Sequence, residues 1–376
     1  MHYDHIVVGA GSMGMAAGYF LAKEGRKTLL LDAFNPPHDK GSHHGETRLI
    51  RFAYGEGARY VPFVLRAKEL WEELETLTNK EIFLRVGVLN FSPEKDPYIE
   101  NVIQSAHQYH LPLEQLTALE ANQRWAGLNL PKDMIACFEP TSGVLMPEKI
   151  IEAYYELAKD AGAEIIGSNR VVQIEPKQDY VEVTTENGEK YTANSLILSA
   201  GAWAKQILDS LGVNLPLTPI RKTFAWYEAD EAIYGDDQFP GFAYSNGSVS
   251  YYGFPSINGA GLKVGRHDLG EEINPDDEKI PFGEVPGDQE DLDQFLKTFL
   301  PKTGKIKYGK VCMYTMTPDS DFVIDTLPNY PNIAIACGFS GHGFKFSSAV
   351  GEVLKDMALG NSPRIDLSPF SLRRFL

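Results

Sequence analysis

The chain has 376 residues but only three cysteines, Cys137, Cys312 and Cys337. So sparse and odd a set excludes a disulfide framework and fits a reducing compartment, so a cytoplasmic protein is expected. Basic residues are also in deficit: 35 Lys and Arg face 51 Asp and Glu, a formal charge of −16. Such a surface repels phosphate backbones and anionic lipid heads, and no nucleic-acid or membrane partner is expected. The apolar run from Ile6 to Ala22 is interrupted by Gly9, Gly11, Gly14 and Gly18. It falls short of the ~20 residues a spanning helix needs. The N-terminus lacks the basic region, apolar core and small-residue cleavage site of a secretion signal. There is no low-complexity tract, no repeat and no expected metal site. What remains is an ordinary globular composition, 43% hydrophobic and 23% charged. Its length suits roughly two domains at ~150 residues each.

Residues 4–32 read as strand, turn, helix and strand. Met13, Ala16, Ala17, Phe20 and Leu21 fall on one helical face, and Gly25 offers a cheap left-handed end. The turn Gly9-Ala-Gly11-Ser12-Met13-Gly14 fits G-x-G-x-x-G, and Asp32 ends the next strand. In that context the first glycine permits the tight turn, the second admits a pyrophosphate, and the third lets helix and strand pack closely. The helix N-terminus faces the phosphates and Asp32 can hold ribose hydroxyls. The motif alone does not separate NAD from FAD. Ile333–Ala336 with the following helix, the helix near Ile150–Ala158, the Asn187-Gly188 hairpin signal and the strand near Ser195–Gly201 look like further pieces of the same layer. Between about 216 and 317, short aromatic-rich runs separated by Gly, Pro, Asn and Asp predict antiparallel sheet.

Ser42-His43-His44-Gly45-Glu46-Thr47-Arg48-Leu49-Ile50-Arg51 is basic in an acidic chain. Read as a helix from Gly45, it stacks His44, Arg48 and Arg51 on one side. A solvated face is the bland alternative, but adjacency to the nucleotide segment favours an anion site, since guanidinium grips carboxylate in a two-bond fork. In the strand Lys263-Val-Gly-Arg-His267, alternation puts Lys263 and His267 on one face with only Gly265 between them, a cationic surface open to a flat ligand. A lone Lys or His is usually structural. Pattern alone reads all three cysteines as inert core residues.

The segments VVGAGSMGMAAGY (7–19), GSHHGETRLIR (41–51), YGEGARYVP (54–62), YYGFP (251–255), the 263–267 strand, VCMYT (311–315) and GFSGHGFKFSS (338–348) resemble the family of monomeric sarcosine oxidase and N-methyltryptophan oxidase. These are FAD-dependent amine oxidases of the glutathione-reductase-like flavoprotein superfamily, and the likeness runs the whole length. It implies one FAD per chain, held covalently through Cys312, which overturns the reading of that thiol as inert. It implies that Arg51 and Lys345 bind the substrate carboxylate, that Tyr252 and His267 line the substrate pocket, and that Lys263 promotes the reaction of reduced flavin with oxygen. Arg48 and His44 correspond to basic groups near the flavin, and Ser12, Met13, Ser42, His43, Val171, Gly341 and Lys345 to further cofactor contacts.

The fold so implied is α/β: a discontinuous FAD-binding Rossmann-like domain (1–77, 145–215 and 318–376) and an α+β substrate domain on an antiparallel sheet (78–144 and 216–317). The implied activity is oxidative demethylation of N-methyl amino acids by a monomer, with O2 as acceptor and formaldehyde, the primary amino acid and hydrogen peroxide as products. The alternatives are a flavin amine dehydrogenase serving a quinone or carrier protein, and a non-catalytic nucleotide sensor. Ala243 stands where the sarcosine pattern has methionine, so bulkier N-methyl substrates are expected to fit.

Overall fold

A computed structural model describes residues 1–376. Its first sheet grows from the predicted βαβ unit. Strand His2–Val8 pairs in parallel with Thr28–Leu31 on one side and Lys190–Leu198 on the other. Glu164–Ile166 extends one edge, Tyr330–Cys337 joins Lys190–Leu198 in parallel, and the hairpin Val171–Pro176 and Val181–Thr185 closes the other edge. The central parallel strands are almost continuous apolar runs because both faces of the sheet are buried, one of them beneath three helices. Helices Ser12–Lys23, Pro147–Asp160 and Ser347–Ala358 pack there. A Cβ on Gly351 would lie 2.5 Å from the Ala16 Cβ, so only glycine permits the observed approach of the first and last of them.

The second sheet runs Ile306–Met316, Thr218–Tyr227, Leu262–Arg266, Ser250–Phe254, Gly241–Ser245, Val88–Pro93, Met134–Glu139 and Glu114–Thr117. Its pairings are antiparallel, as the aromatic runs predict, except that Gly241–Ser245 lies parallel to Val88–Pro93. Strand alternation divides the aromatics. Tyr251 joins Phe91, Phe242 and Phe295 in a core beneath helix Glu290–Phe299, whereas Tyr252 faces the opposite way with Phe254. No helix is long and apolar enough to cross a membrane.

The basic segment corrects its sequence reading. Residues Arg48–Ile50 form a strand, paired antiparallel with Gly143–Leu145 in a small three-stranded sheet. Gly45 and Glu46 both have positive φ, 107° and 72°, which stops a helix from starting there. The partner strand lies some ninety residues away, outside the reach of any local period.

Candidate active site

Two neighbouring cavities lie between the sheets. The larger, about 380 Å³, runs along the glycine turn and is lined by Gly9, Gly11, Ser12, Met13, Asp32, Ser42, His43, Val171 and Gly341. Gly14 stays out of it: a Cβ there would lie 1.8 Å from the Gly9 carbonyl oxygen, so this glycine serves helix–strand packing. A Cβ on Gly11 would meet nothing closer than the His43 ring at 3.6 Å, so its backbone faces the open cavity. Helix Ser12–Lys23 starts there with no side-chain cap and no acidic residue in its first turn. Its free amides are a ready phosphate site. Asp32 is fixed by the Ala10 amide at 2.7 Å and the Phe34 amide at 2.8 Å. His38, absent from the sequence reading, stands 3.3 Å from the same carboxylate. An elongated cavity with glycine walls, uncapped amides at one helix and an acid at the next strand fits the pyrophosphate and ribose of FAD.

The second cavity, about 310 Å³, shares Arg48, Tyr314, Gly341 and Phe344 with the first. It also gathers Arg51, Ala243, Tyr252, His267, Cys312 and Lys345. Residues from six segments therefore meet around the second cavity, which joins the first at the four shared residues. His44 does not reach either cavity. Its ring packs 6.2 Å from that of Phe224. Lys263 is held apart from His267, because the gap at Gly265 is filled. A Cβ there would lie 2.7 Å from the Tyr252 hydroxyl oxygen. Tyr252 and Gly265 are register partners, and the tyrosine ring covers the place a side chain would take. The face expected to be open to a flat ligand is closed at that point.

Sequence reasoning missed the partners of these cations. Arg51 Nη2 donates to Glu56 Oε1 at 2.5 Å, and its guanidinium lies 4.8 Å from the centroid of the Tyr54 ring and 5.6 Å from that of Tyr98. Arg51 Nη1 and Glu56 Oε2 are buried without a partner. An acid between two glycines, Gly55-Glu56-Gly57, was the available signal. Lys345 Nζ donates to the His342 carbonyl oxygen at 2.8 Å and to the Tyr54 hydroxyl at 3.1 Å. His342 Nε2 lies 3.0 Å from the Ser320 carbonyl oxygen, which can only accept, so that nitrogen carries the proton. Nδ1 then accepts from the Tyr54 hydroxyl at 2.9 Å. Arg48 spends its donors on the carbonyls of Ser42, His44 and Thr47, which pins the loop while its charge stays at the junction of the cavities.

Burial raises the Glu56 carboxyl, but Arg51, His342 and Lys345 overcome it and hold the group well below the usual range. Burial, with Arg51 beside it, lowers Lys345 to about 7. Burial also lowers His267 to about 4 and His342 to about 3, so both are neutral imidazoles at pH 7. Burial raises the Cys312 thiol, and Arg48, Lys222 and Lys263 oppose it. The cavity thus combines permanent positive charge, one counter-ion and neutral, hydrogen-bonding walls. It can fix a small anion and leave a neighbouring amine unprotonated.

The family model for FAD dependent oxidoreductases matches residues 4–357. The chain is 49% identical to a monomeric sarcosine oxidase from Bacillus sp. (strain B-0618), covering 99% of this chain and 96% of that protein. It is 45% identical to an N-methyl-L-tryptophan oxidase from Citrobacter koseri, covering both chains completely. The solved structure of NikD, an amino acid oxidase of nikkomycin biosynthesis, superposes with a TM-score of 0.87 at 22% identity, over 98% of this chain and 97% of that one. With the glycine turn, Asp32 at the end of the next strand and the joined cavities in place, the chain belongs to the FAD dependent oxidoreductase family.

Proposed function

We propose that this protein oxidatively demethylates N-methyl amino acids. A secondary amine R–NH–CH3, one O2 and one water give R–NH2, formaldehyde and hydrogen peroxide. FAD supplies, when bound, a two-electron acceptor for the C–H bond beside nitrogen and a donor for oxygen. The observation that carries the reading is the buried pair Arg51 and Lys345 in a cavity that opens onto the nucleotide site. Arg51 Nη1 has no partner, so a substrate carboxylate completes a shell that the protein leaves unfinished. Carboxylate binding there places the amine among cations, which favours its reactive, neutral form. His267, a neutral imidazole on the cavity wall, can accept a hydrogen bond from the amine N–H. Relatives nearly half identical over almost the whole chain bear the names sarcosine oxidase and N-methyl-L-tryptophan oxidase, which supports the same chemistry.

Ala243 leaves room in a wall it shares with Tyr98, Tyr252 and Phe254, and this favours substrates with side chains larger than that of sarcosine. Peroxide production across sarcosine, N-methylalanine, N-methyltryptophan and pipecolate tests both points. No peroxide from any of them would reject the activity, and oxygen-independent dye reduction would favour a dehydrogenase.

Cys312 is 1% exposed and lines the second cavity on the same strand as Tyr314, which lines both, a position suited to a covalent flavin link. Acid-precipitated protein is expected to stay yellow, and the Cys312→Ser protein to release its flavin to the supernatant. Release from the unmodified protein would rule the link out. The titration of Lys345 near 7 gives a pH dependence of known sign. Above that pH the site loses a positive charge, so the dissociation constant for propionate should rise by up to about tenfold per pH unit. A constant value from pH 6 to 9 would show that Lys345 carries no part of anion binding.

A further inference from the structure

Glu139 ends strand Met134–Glu139, is 1% exposed and lines neither cavity. Its carboxylate is surrounded only by donors. Oε2 accepts from the amides of Phe52 and Ala53 and from the Ser142 hydroxyl, each at 2.8 Å. Oε1 accepts from Asn90 Nδ2 at 2.9 Å. The sheet ladder of the arginine strand stops at Ile50, paired with Gly143. The two amides that follow Arg51 are therefore beyond any strand partner, in buried residues, and Glu139 supplies their acceptor. That contact fixes the course of the backbone leaving Arg51. A second path reaches the same side chain. Asn90 Oδ1 accepts from the Tyr98 hydroxyl at 2.6 Å, and the Tyr98 ring lies against the Arg51 guanidinium. One carboxylate thus ties down both the chain that follows Arg51 and an aromatic ring against which it rests.

We infer that Glu139 is a positioning residue for substrate-carboxylate recognition, acting through Arg51 without touching the substrate. This deepens the proposed function and rests on its assignment of Arg51. Glutamine at 139 keeps the size but introduces an N–H2 group into a shell made only of donors. The Phe52–Ala53 turn or the Asn90–Tyr98 link must then shift. A displacement of Arg51 by a fraction of an ångström weakens its grip on a carboxylate, while Tyr252 and His267, on strands that Glu139 does not touch, stay in place for the chemistry.

The test uses the holoenzyme and propionate, a carboxylate with no reactive amine, followed by the change in flavin absorbance. Glu139→Gln should bind propionate about tenfold more weakly than the unmodified protein, while the limiting rate of anaerobic flavin reduction changes less than about threefold. Glu139→Asp, which keeps the charge but withdraws it, should shift affinity the same way. Unchanged propionate affinity in both variants overturns the inference, as does a fall in limiting rate as large as the fall in affinity. If Glu139→Gln does not fold, Tyr98→Phe, which cuts the second path alone, must still weaken propionate binding. Propionate binding by an unmodified protein that turns over no N-methyl amino acid would reject the demethylase reading alone. Absence of propionate binding to the unmodified protein would overturn the role given to Glu139.

Discussion

Replacement of Lys263 by methionine is expected to slow reoxidation by O2 about 10²–10³-fold, with anaerobic reduction by substrate nearly preserved. Lys263 is 1% exposed. Its Nζ donates to the Gly45 carbonyl at 2.6 Å, the Thr47 hydroxyl at 3.1 Å and the Thr47 carbonyl at 3.3 Å. It also lies 4.5 Å from the centroid of the Phe224 ring, 4.6 Å from that of Phe254 and 5.1 Å from that of Trp226. Burial, with Arg48 nearby, pulls its pKa well below the usual lysine value. Every immediate partner is nevertheless an acceptor or a π-face, and such partners favour the ammonium. A charge held there in a low dielectric would stabilise superoxide as it forms, and methionine would fill the aromatic cage without that charge. The residue lies outside the cavity that holds Arg51 and Lys345, so substrate oxidation has no reason to share the loss. Stopped-flow traces that slow equally in both half-reactions would reject this separation.

Arg51→Ala is expected to raise KM by about 10²–10³-fold, because it leaves a buried carboxylate without its fork. The loss has two sources. The substrate would lose its guanidinium partner, and Glu56 would lose its paired cation, so the share of its charge that Lys345 still holds ionised would face the substrate's own. The second source predicts partial recovery in Arg51→Ala/Glu56→Gln relative to Arg51→Ala alone. Arg51→Lys should recover little, since an ammonium cannot form the two-bond fork. If the fall lies in the limiting reduction rate and KM is unchanged, Arg51 is not the carboxylate partner.

The glycine turn, Asp32 and the first helix were legible because each rests on local rules: a tight turn, an uncapped helix start and a short apolar strand. Arg48 and Arg51 were legible as charges but not as geometry, since their strand is set by pairing with Gly143–Leu145. Lys263 and His267 share a face by alternation, yet Tyr252 from the adjacent strand covers the glycine between them. Glu56 and Glu139 were missed for one reason. Each is an isolated acid in a chain rich in acids, and its meaning lies in donors from residues 51–53 and Asn90 that only the fold brings near.

The cations of the cavity, Arg48 and Arg51 on and just after the strand at 48–50 and Lys345 in the 3-10 turn at 344–346, meet only when both segments have docked. Closing loops of such length is the slow part of folding. An emerging or partly unfolded chain therefore carries its basic residues dispersed among the more numerous acids. Until those segments dock, the chain holds no concentrated cationic site for small anions.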